Sequence, residues 1–300
     1  MLKNNADTKI RLNKLIAESG LASRRAADKL IEEGHVTVNG KRVYELGVRV
    51  DPQVDKVVVD GKPLKKPTPK IYVMFNKPKG VLTTMEDPLE RPCVSHYLEK
   101  VPYRVFPVGR LDYDSEGLLL LTNDGEFANK VMHPKLEVTK TYLVKIDGQP
   151  EQHKLDKLLK GVTIEGGKVA AKHLEKIRPP GEKKSEKYEW YKIVITEGKN
   201  RQIRQMFAKI GFDVLKLQRV AVGRLRLGQL ASGDLLFLNE VAVERVFLAD
   251  DPNEIKAKRG HKGKSTDETP KAAPKKRKAP TRKTSSKRAP SKSKRNQKFA

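Results

Sequence analysis

Two acids, three arginines and one tyrosine carry the chemistry that this sequence displays most openly. In GRLDYDSEGLLLLTNDG, residues 109–125, a loop bounded by Gly109 and Gly117 delivers Arg110, Asp112 and Asp114 to the edge of the wholly apolar run 118–121. Charged groups set against a buried strand are costly unless they are paired or used. In EGKNRQIRQMFAKIG, residues 197–211, Ile203, Met206, Phe207 and Ile210 form an i, i+3, i+4, i+7 apolar face, so the helix is anchored in a core. Arg201 and Arg204 sit three apart and share another face. An arginine on such a helix can lie against a carboxylate and keep it ionised. Tyr142 alternates with Val144 and Ile146 on one strand face, which leaves its ring partly buried, to stack on a base or to move a proton. On the residues alone, each feature also has a plain structural reading. The loop is then a surface turn with two solvated aspartates, the arginines are solvated or touch phosphate, and the tyrosine is a core aromatic.

The elements that must position these groups follow from periodicity. Between residues 71 and 248, strands are expected at 71–75, 118–121, 141–146, 191–196 and 235–238, and helices at 126–132, 152–160 and 201–210. That mixture is α+β. Trp190, Tyr188 and most aliphatic residues are expected in the core. Ahead of this body lies a shorter basic module. Leu12, Leu15 and Ile16 recur at helical spacing, and Ser23 can cap a second helix with Ala26, Ala27, Leu30 and Ile31 on one face and Gly34 at its end. Val36 and Val38 then lead into the hairpin signal Asn39-Gly40, and Val57–Val59 before Asp60-Gly61 repeats the pattern. Arg11, Lys14, Arg24, Arg25 and Lys29 crowd the two helices, where a helix N-terminus favours a phosphate and a solvated basic face is equally natural. The segment KKPTPK, 65–70, reads as a solvated linker because its prolines exclude helix.

Charge bounds the partner. The 300 residues carry a formal net charge of +26, and the stretch 256–300, with 18 Lys or Arg against Asp267 and Glu268, supplies +16 of it. That stretch has almost no aliphatic or aromatic residue and is expected to be disordered, adding affinity for any nucleic acid without choosing a sequence. The remaining +10 still points the body towards a polyanion. No apolar run is long enough to span a membrane, and the N-terminus lacks a secretory pattern, so an intracellular chain is expected. Cys93 is the single cysteine, and the six histidines lack ligand spacing, so neither a metal site nor a cofactor is implied.

Two stretches of the chain resemble known families. LNKLIAESGLASRRAADKLIEEGHVTVNGKRV, residues 12–43, resembles the S4 RNA-binding domain, a small module that docks on structured RNA. NKPKG (76–80), GRLDYDSEG (109–117), LLLLTNDGEFANKVMHP (118–134), KTYLV (140–144) and NRQIRQMF (200–207), in that order, resemble the RsuA-like ribosomal RNA pseudouridine synthases, in layout the large-subunit synthase B group. The resemblance implies an S4 module of αL type at 8–66 and a catalytic domain at 71–250 with a mixed, mainly antiparallel central sheet; composition adds a linker at 67–70 and a disordered basic tail at 251–300, which the resemblance does not cover. It implies that Asp112 is the essential carboxylate, with Asp114 a second acid of the motif. Tyr142 then stacks on the target base or moves a proton, and Arg204 keeps Asp112 ionised. RNA binding falls to Arg11, Lys14, Ser23, Arg24, Arg25, Lys77, Arg110 and Arg201, with Lys77 and Arg110 contacting phosphate or positioning the loop. The expected partner is ribosomal RNA, in the large subunit or an assembly intermediate, for a cytoplasmic monomer needing no cofactor or metal. The alternative, which composition favours equally, is a noncatalytic S4-type RNA-binding protein of ribosome assembly.

Overall fold

The computed structural model describes residues 9–249 except Lys66. The expected tail at 251–300 lies outside the described residues.

The basic module contains two helices packed on a small sheet. Helix α1 (Leu12–Glu18) buries Leu12, Leu15 and Ile16; helix α2 (Arg24–Glu32) buries Ala27 and Ile31, while Ala26, expected on the same face, is exposed. Ser23 caps α2 by accepting a hydrogen bond from the Ala26 N–H at 3.0 Å. Strands β1 (Val36–Val38) and β2 (Val57–Val59) pair antiparallel, and the short strands Lys41–Arg42 and Lys62–Pro63 extend the sheet on either side. Asn39 and Gly40 both take positive φ, +52° and +81°, as a two-residue turn between twisted strands requires.

The mostly exposed linker is fastened at Thr68, Pro69 and Lys70. The Thr68 N–H donates to the Glu18 carbonyl at 3.4 Å, Asn123 donates to the Thr68 hydroxyl and the Pro69 carbonyl, and Lys70 pairs with Asp124 at 3.0 Å. A backbone hydrogen bond ties it to the end of α1, and Asn123 with the single ion pair of Lys70 ties it to the body, while Lys65, Pro67, Pro69 and Lys70 stay exposed.

The body is built on one large sheet. In chain order its main elements are β3 (Tyr72–Lys77), β4 (Glu116–Thr122), α3 (Gly125–Met132), β5 (Lys140–Asp147), α4 (Gln152–Lys160), β6 (His173–Ile177), β7 (Tyr188–Ile195), α5 (Gln202–Lys209), β8 (Val214–Val222) and β9 (Leu235–Phe237). Their order across the sheet is β6-β7-β5-β8-β4-β3-β9, with Phe106–Val108 added beside β4 and Leu225–Arg226 beside β8. Every pairing between these strands is antiparallel except β8 with β4, so the sheet is mixed and mainly antiparallel. Both faces are covered, which is why β4 reads as an unbroken run of leucines. Leu119, Leu121, Tyr142, Val144 and Ile146 pack against Leu155 and Leu158 of α4 and Ile203, Met206 and Phe207 of α5. Met74, Leu118 and Leu120 face Phe127, Ala128 and Val131 of α3. Each such side chain contributes on the order of 2 kcal/mol when buried. The helix that carries Arg204 is therefore a firm support.

Among the described residues, no helix is long and apolar enough to cross a membrane.

Candidate active site

One row across the sheet organises the site. Tyr142 lies opposite Arg219, Arg219 opposite Gly117, and Gly117 opposite Lys77, on strands β5, β8, β4 and β3 in turn. Residues directly opposite one another share a face of the sheet. Gly117, with φ +105°, is where β8 presses closest, because a Cβ there would meet the Arg219 carbonyl oxygen at 2.2 Å. The loop carrying Asp112 and Asp114 ends at this glycine.

That loop is held at backbone groups of every residue from Leu111 to Ser115. The Thr83 hydroxyl donates to the Leu111 carbonyl at 2.7 Å and accepts from the Leu111 N–H at 3.2 Å. Gly80 N–H donates to the Tyr113 carbonyl at 2.7 Å, and Ser115 N–H donates to the Asp112 carbonyl at 3.1 Å. Lys77 Nζ donates to the Ser115 and Pro78 carbonyls, each at 2.8 Å, and Arg204 donates to the Asp114 carbonyl at 3.2 Å. The Asp114 carboxylate pairs with Arg204 at 3.1 Å and with Arg201 at 3.3 Å. Asp112 is different. Its half-buried carboxylate takes no hydrogen bond or ion pair among the described residues. A rigid loop thus presents one unpartnered acid. Arg110 and Tyr113, on either side of it, are exposed.

Two residues are engaged by other groups than those first expected of them. Arg204 was expected against Asp112, but its guanidinium is engaged by Asp114 and by the Val214 carbonyl at 2.8 Å. Burial lowers its pKa, and the charge of Asp114 opposes that shift more strongly than the charge of Asp112 does. In this structure Arg204 fixes the loop and acts on Asp112 only at longer range. Lys77 was expected to touch RNA phosphate, but its side chain is 0% exposed and both its contacts are carbonyls of the chain. Of the two roles considered for it, the geometry fits loop positioning. Arg201 does sit beside Arg204, at the start of α5 with a left-handed φ of +44°. A non-glycine residue held there costs about 1 kcal/mol.

Tyr142 is 8% exposed and packs with the core on its own strand face. Arg219 was missed by sequence reading. It is 6% exposed, and its Nε donates to the Leu118 carbonyl at 2.6 Å. Thr83 was missed as well. Lys14, Ser23, Arg24 and Arg25 line a cleft of about 1,320 Å³ with Arg104, Phe106, Glu126 and Met132 of the body, and the Arg24 guanidinium lies over Gly125 at the start of α3. Arg11 is exposed on the short strand Ile10–Arg11 and does not line that cleft.

Burial pushes Lys77 down to about 8, against the pull of Asp112, Asp114 and Glu116. Because its folded pKa lies below the usual lysine value near 10.4, the unfolded chain binds more protons between those limits, and the group adds stability as pH rises through that window. Lys77→Met is expected to remove up to about 1.4 kcal/mol per pH unit from the stability slope near pH 9. Denaturant titrations at pH 7, 8, 9 and 9.5 check this, and parallel slopes for the two proteins would mean that Lys77 titrates as a solvated lysine.

The comparisons agree with this architecture. Residues 71–209 match the RNA pseudouridylate synthase family, and residues 10–55 match the S4 domain. The chain is 44% identical over 241 residues to a ribosomal large subunit pseudouridine synthase B of Bacillus subtilis (strain 168), covering 80% of this chain and 97% of that protein. It is 41% identical to an uncharacterized RNA pseudouridine synthase of Aquifex aeolicus (strain VF5), covering 80% and 94%. A solved pseudouridylate synthase superposes with a TM-score of 0.55 at 28% identity, over 79% of this chain and 99% of that one. The chain therefore belongs to the RNA pseudouridine synthases, carrying an S4 domain ahead of the catalytic fold. It is an isomerase of the RsuA-like type, and the purely RNA-binding alternative falls away.

Proposed function

We propose that this enzyme converts a uridine of ribosomal RNA, in the large subunit, to pseudouridine, with Asp112 as the carboxylate that acts on the target nucleotide. The observation that carries this reading is the pinned loop with its single unpartnered acid. Asp114 is neutralised by two arginines, whereas Asp112 stands open between exposed Arg110 and Tyr113. The large-subunit target is supported by the name of the Bacillus subtilis relative.

The chemistry is balanced without an external reactant. The N1–C1′ bond of uridine breaks with its electron pair leaving on the uracil. Asp112 bonds to the sugar or stabilises its positive charge. The freed ring turns, and C5 bonds to C1′, displacing the carboxylate if it was bound. The C5 proton is lost and N1 regains one. Tyr142, on the sheet row beside the loop, stacks on the base and serves the proton transfers. The uridine must leave its helix to reach a site at the sheet, so base flipping precedes chemistry. The module at 8–66, through Lys14, Ser23, Arg24 and Arg25, holds RNA phosphates while the domain at 71–250 reacts. Arg11, Arg110 and Arg201 add phosphate contacts, the enzyme works as a cytoplasmic monomer, and the basic tail at 251–300 adds nonspecific affinity.

Release of tritium from C5-labelled large-subunit and small-subunit ribosomal RNA, assayed separately, tests the target. Release from the large-subunit RNA alone is expected, and release confined to the small-subunit RNA contradicts the assignment. Arg24→Ala combined with Arg25→Ala is expected to weaken RNA binding and flatten its log–log salt dependence by about one to two units. An unchanged slope would take both residues out of the interface.

A further inference from the structure

Arg219 is a buried cation to which the mechanism above gives no work. It stands directly opposite Tyr142 and directly opposite Gly117, the residue on which the Asp112 loop ends. Only its Nε is used, on the Leu118 carbonyl; Nη1 and Nη2 take no hydrogen bond and are not among the side-chain atoms sealed off without a partner, so they open to solvent. Lys140, two residues before Tyr142, stands close enough that burial and the charge of Arg219 together lower it to about 8. Its Nζ donates to the Thr196 carbonyl at 2.9 Å. Among the described residues, neither cation is paired with a carboxylate. A buried cation beside a half-buried one of the same sign is unfavourable unless an anion completes the site during the reaction cycle.

We infer that Arg219, supported by Lys140, binds the uracil as it becomes anionic, accepting charge on a ring oxygen when the N1–C1′ electron pair leaves with the base. This rests on the reading that the chain isomerises uridine in RNA. The leaving uracil spreads its negative charge over N1 and the ring oxygens, and a largely buried guanidinium whose two free N–H-bearing nitrogens remain reachable offers that charge a pair of donors. Burial distinguishes the base from a backbone phosphate as the occupant. Arg219 is 6% exposed on the same sheet row as Tyr142, where a flipped ring stacks, whereas phosphates remain solvated at the rim of a groove. The uracil returns its electron pair when C5 bonds to C1′, so the cation acts on a transient charge and is itself unchanged.

Single-turnover rates and RNA dissociation constants for wild type, Arg219→Met, Arg219→Lys and Lys140→Met test this. The RNA is a ribosomal fragment containing the uridine that the wild type modifies, intact or with neutral methylphosphonate linkages on both sides of it. Arg219→Met is expected to slow turnover about 100-fold, the usual loss for one donor to a developing anion, while RNA affinity stays within about threefold. Arg219→Lys should recover about tenfold of that rate. The methylphosphonate substitution should slow wild type and variant by the same factor. Wild-type turnover in a folded Arg219→Met protein overturns the inference. So does a loss of affinity that vanishes on methylphosphonate RNA, because the ligand is then phosphate. Should Arg219→Met not fold, Arg219→Lys and Lys140→Met decide, each expected about tenfold slower than wild type at unchanged affinity and overturning the inference if neither is slowed. A wild type that releases no tritium from ribosomal RNA overturns the reading beneath the inference, an outcome distinct from all of these.

Discussion

Gly117→Ala should leave a protein that melts on the order of 10 °C lower and has lost its activity. The added Cβ would lie 2.2 Å from the Arg219 carbonyl oxygen and 2.9 Å from the Arg219 nitrogen, both backbone atoms of the neighbouring strand. No rotamer change relieves a clash between two backbones. The φ of +105° adds a second cost, since side-chain-bearing residues rarely adopt it. Together these place the substitution at about 4 kcal/mol, the range reached only by core clashes and strained backbones. For a folded unit of this size that corresponds to the stated shift in Tm. Function suffers separately, because β4 and β8 pair only through Glu116 and Gly117, and the Asp112 loop ends at that pairing. Gly228→Ala is the control: its φ is also positive, at +62°, but nothing lies within 4 Å of the added atom. It should cost about 1 kcal/mol and preserve activity. Equal melting shifts for the two variants would mean that strand contact at Gly117 is not the constraint.

Asp112→Asn should also lose activity, but with stability kept. An amide is isosteric with the carboxylate but neither bonds to the sugar as an anion nor offsets its positive charge. Removing a group of this kind from comparable active sites costs about 10⁴-fold or more in kcat. The carboxylate has no partner among the described residues, so its loss leaves no buried group there unsatisfied, and the stability change should stay within about 0.5 kcal/mol. Circular-dichroism melting and RNA titration beside the activity assay separate the two effects. A variant that loses folding and activity together would place Asp112 among the groups that hold the loop.

Local signals were legible in the sequence. Ser23 caps α2, Asn39-Gly40 makes the hairpin, and α4 runs over the residues its periodicity marks. The family resemblance supplied Asp112, Tyr142 and Arg204, and spacing alone put Arg201 beside Arg204. What the sequence hid is the register between distant segments. The parallel contact of β4 with β8 joins residues about a hundred positions apart, and only that contact brings Arg219 beside Gly117. One trace was present: in LKLQRVAV, Leu217 and Arg219 alternate onto one strand face, so an inward arginine could have been suspected. The same register explains Lys77. Its place at the end of an apolar strand puts it on the inward-facing row, where the Ser115 and Pro78 carbonyls take its ammonium in place of RNA. Whether Arg204 meets Asp112 or Asp114 depends on the turn of a short loop, which spacing does not encode.

The most direct test of the account compares Asp112→Asn with Asp114→Asn in release of tritium from ribosomal RNA labelled at uracil C5, with wild type alongside. The two acids lie two residues apart on one loop, but one is unpartnered and the other is paired with Arg201 and Arg204. The account predicts no release above background from Asp112→Asn, which still binds RNA, and slower but measurable release from Asp114→Asn. Sustained release by Asp112→Asn, or its complete loss in Asp114→Asn alone, would contradict it.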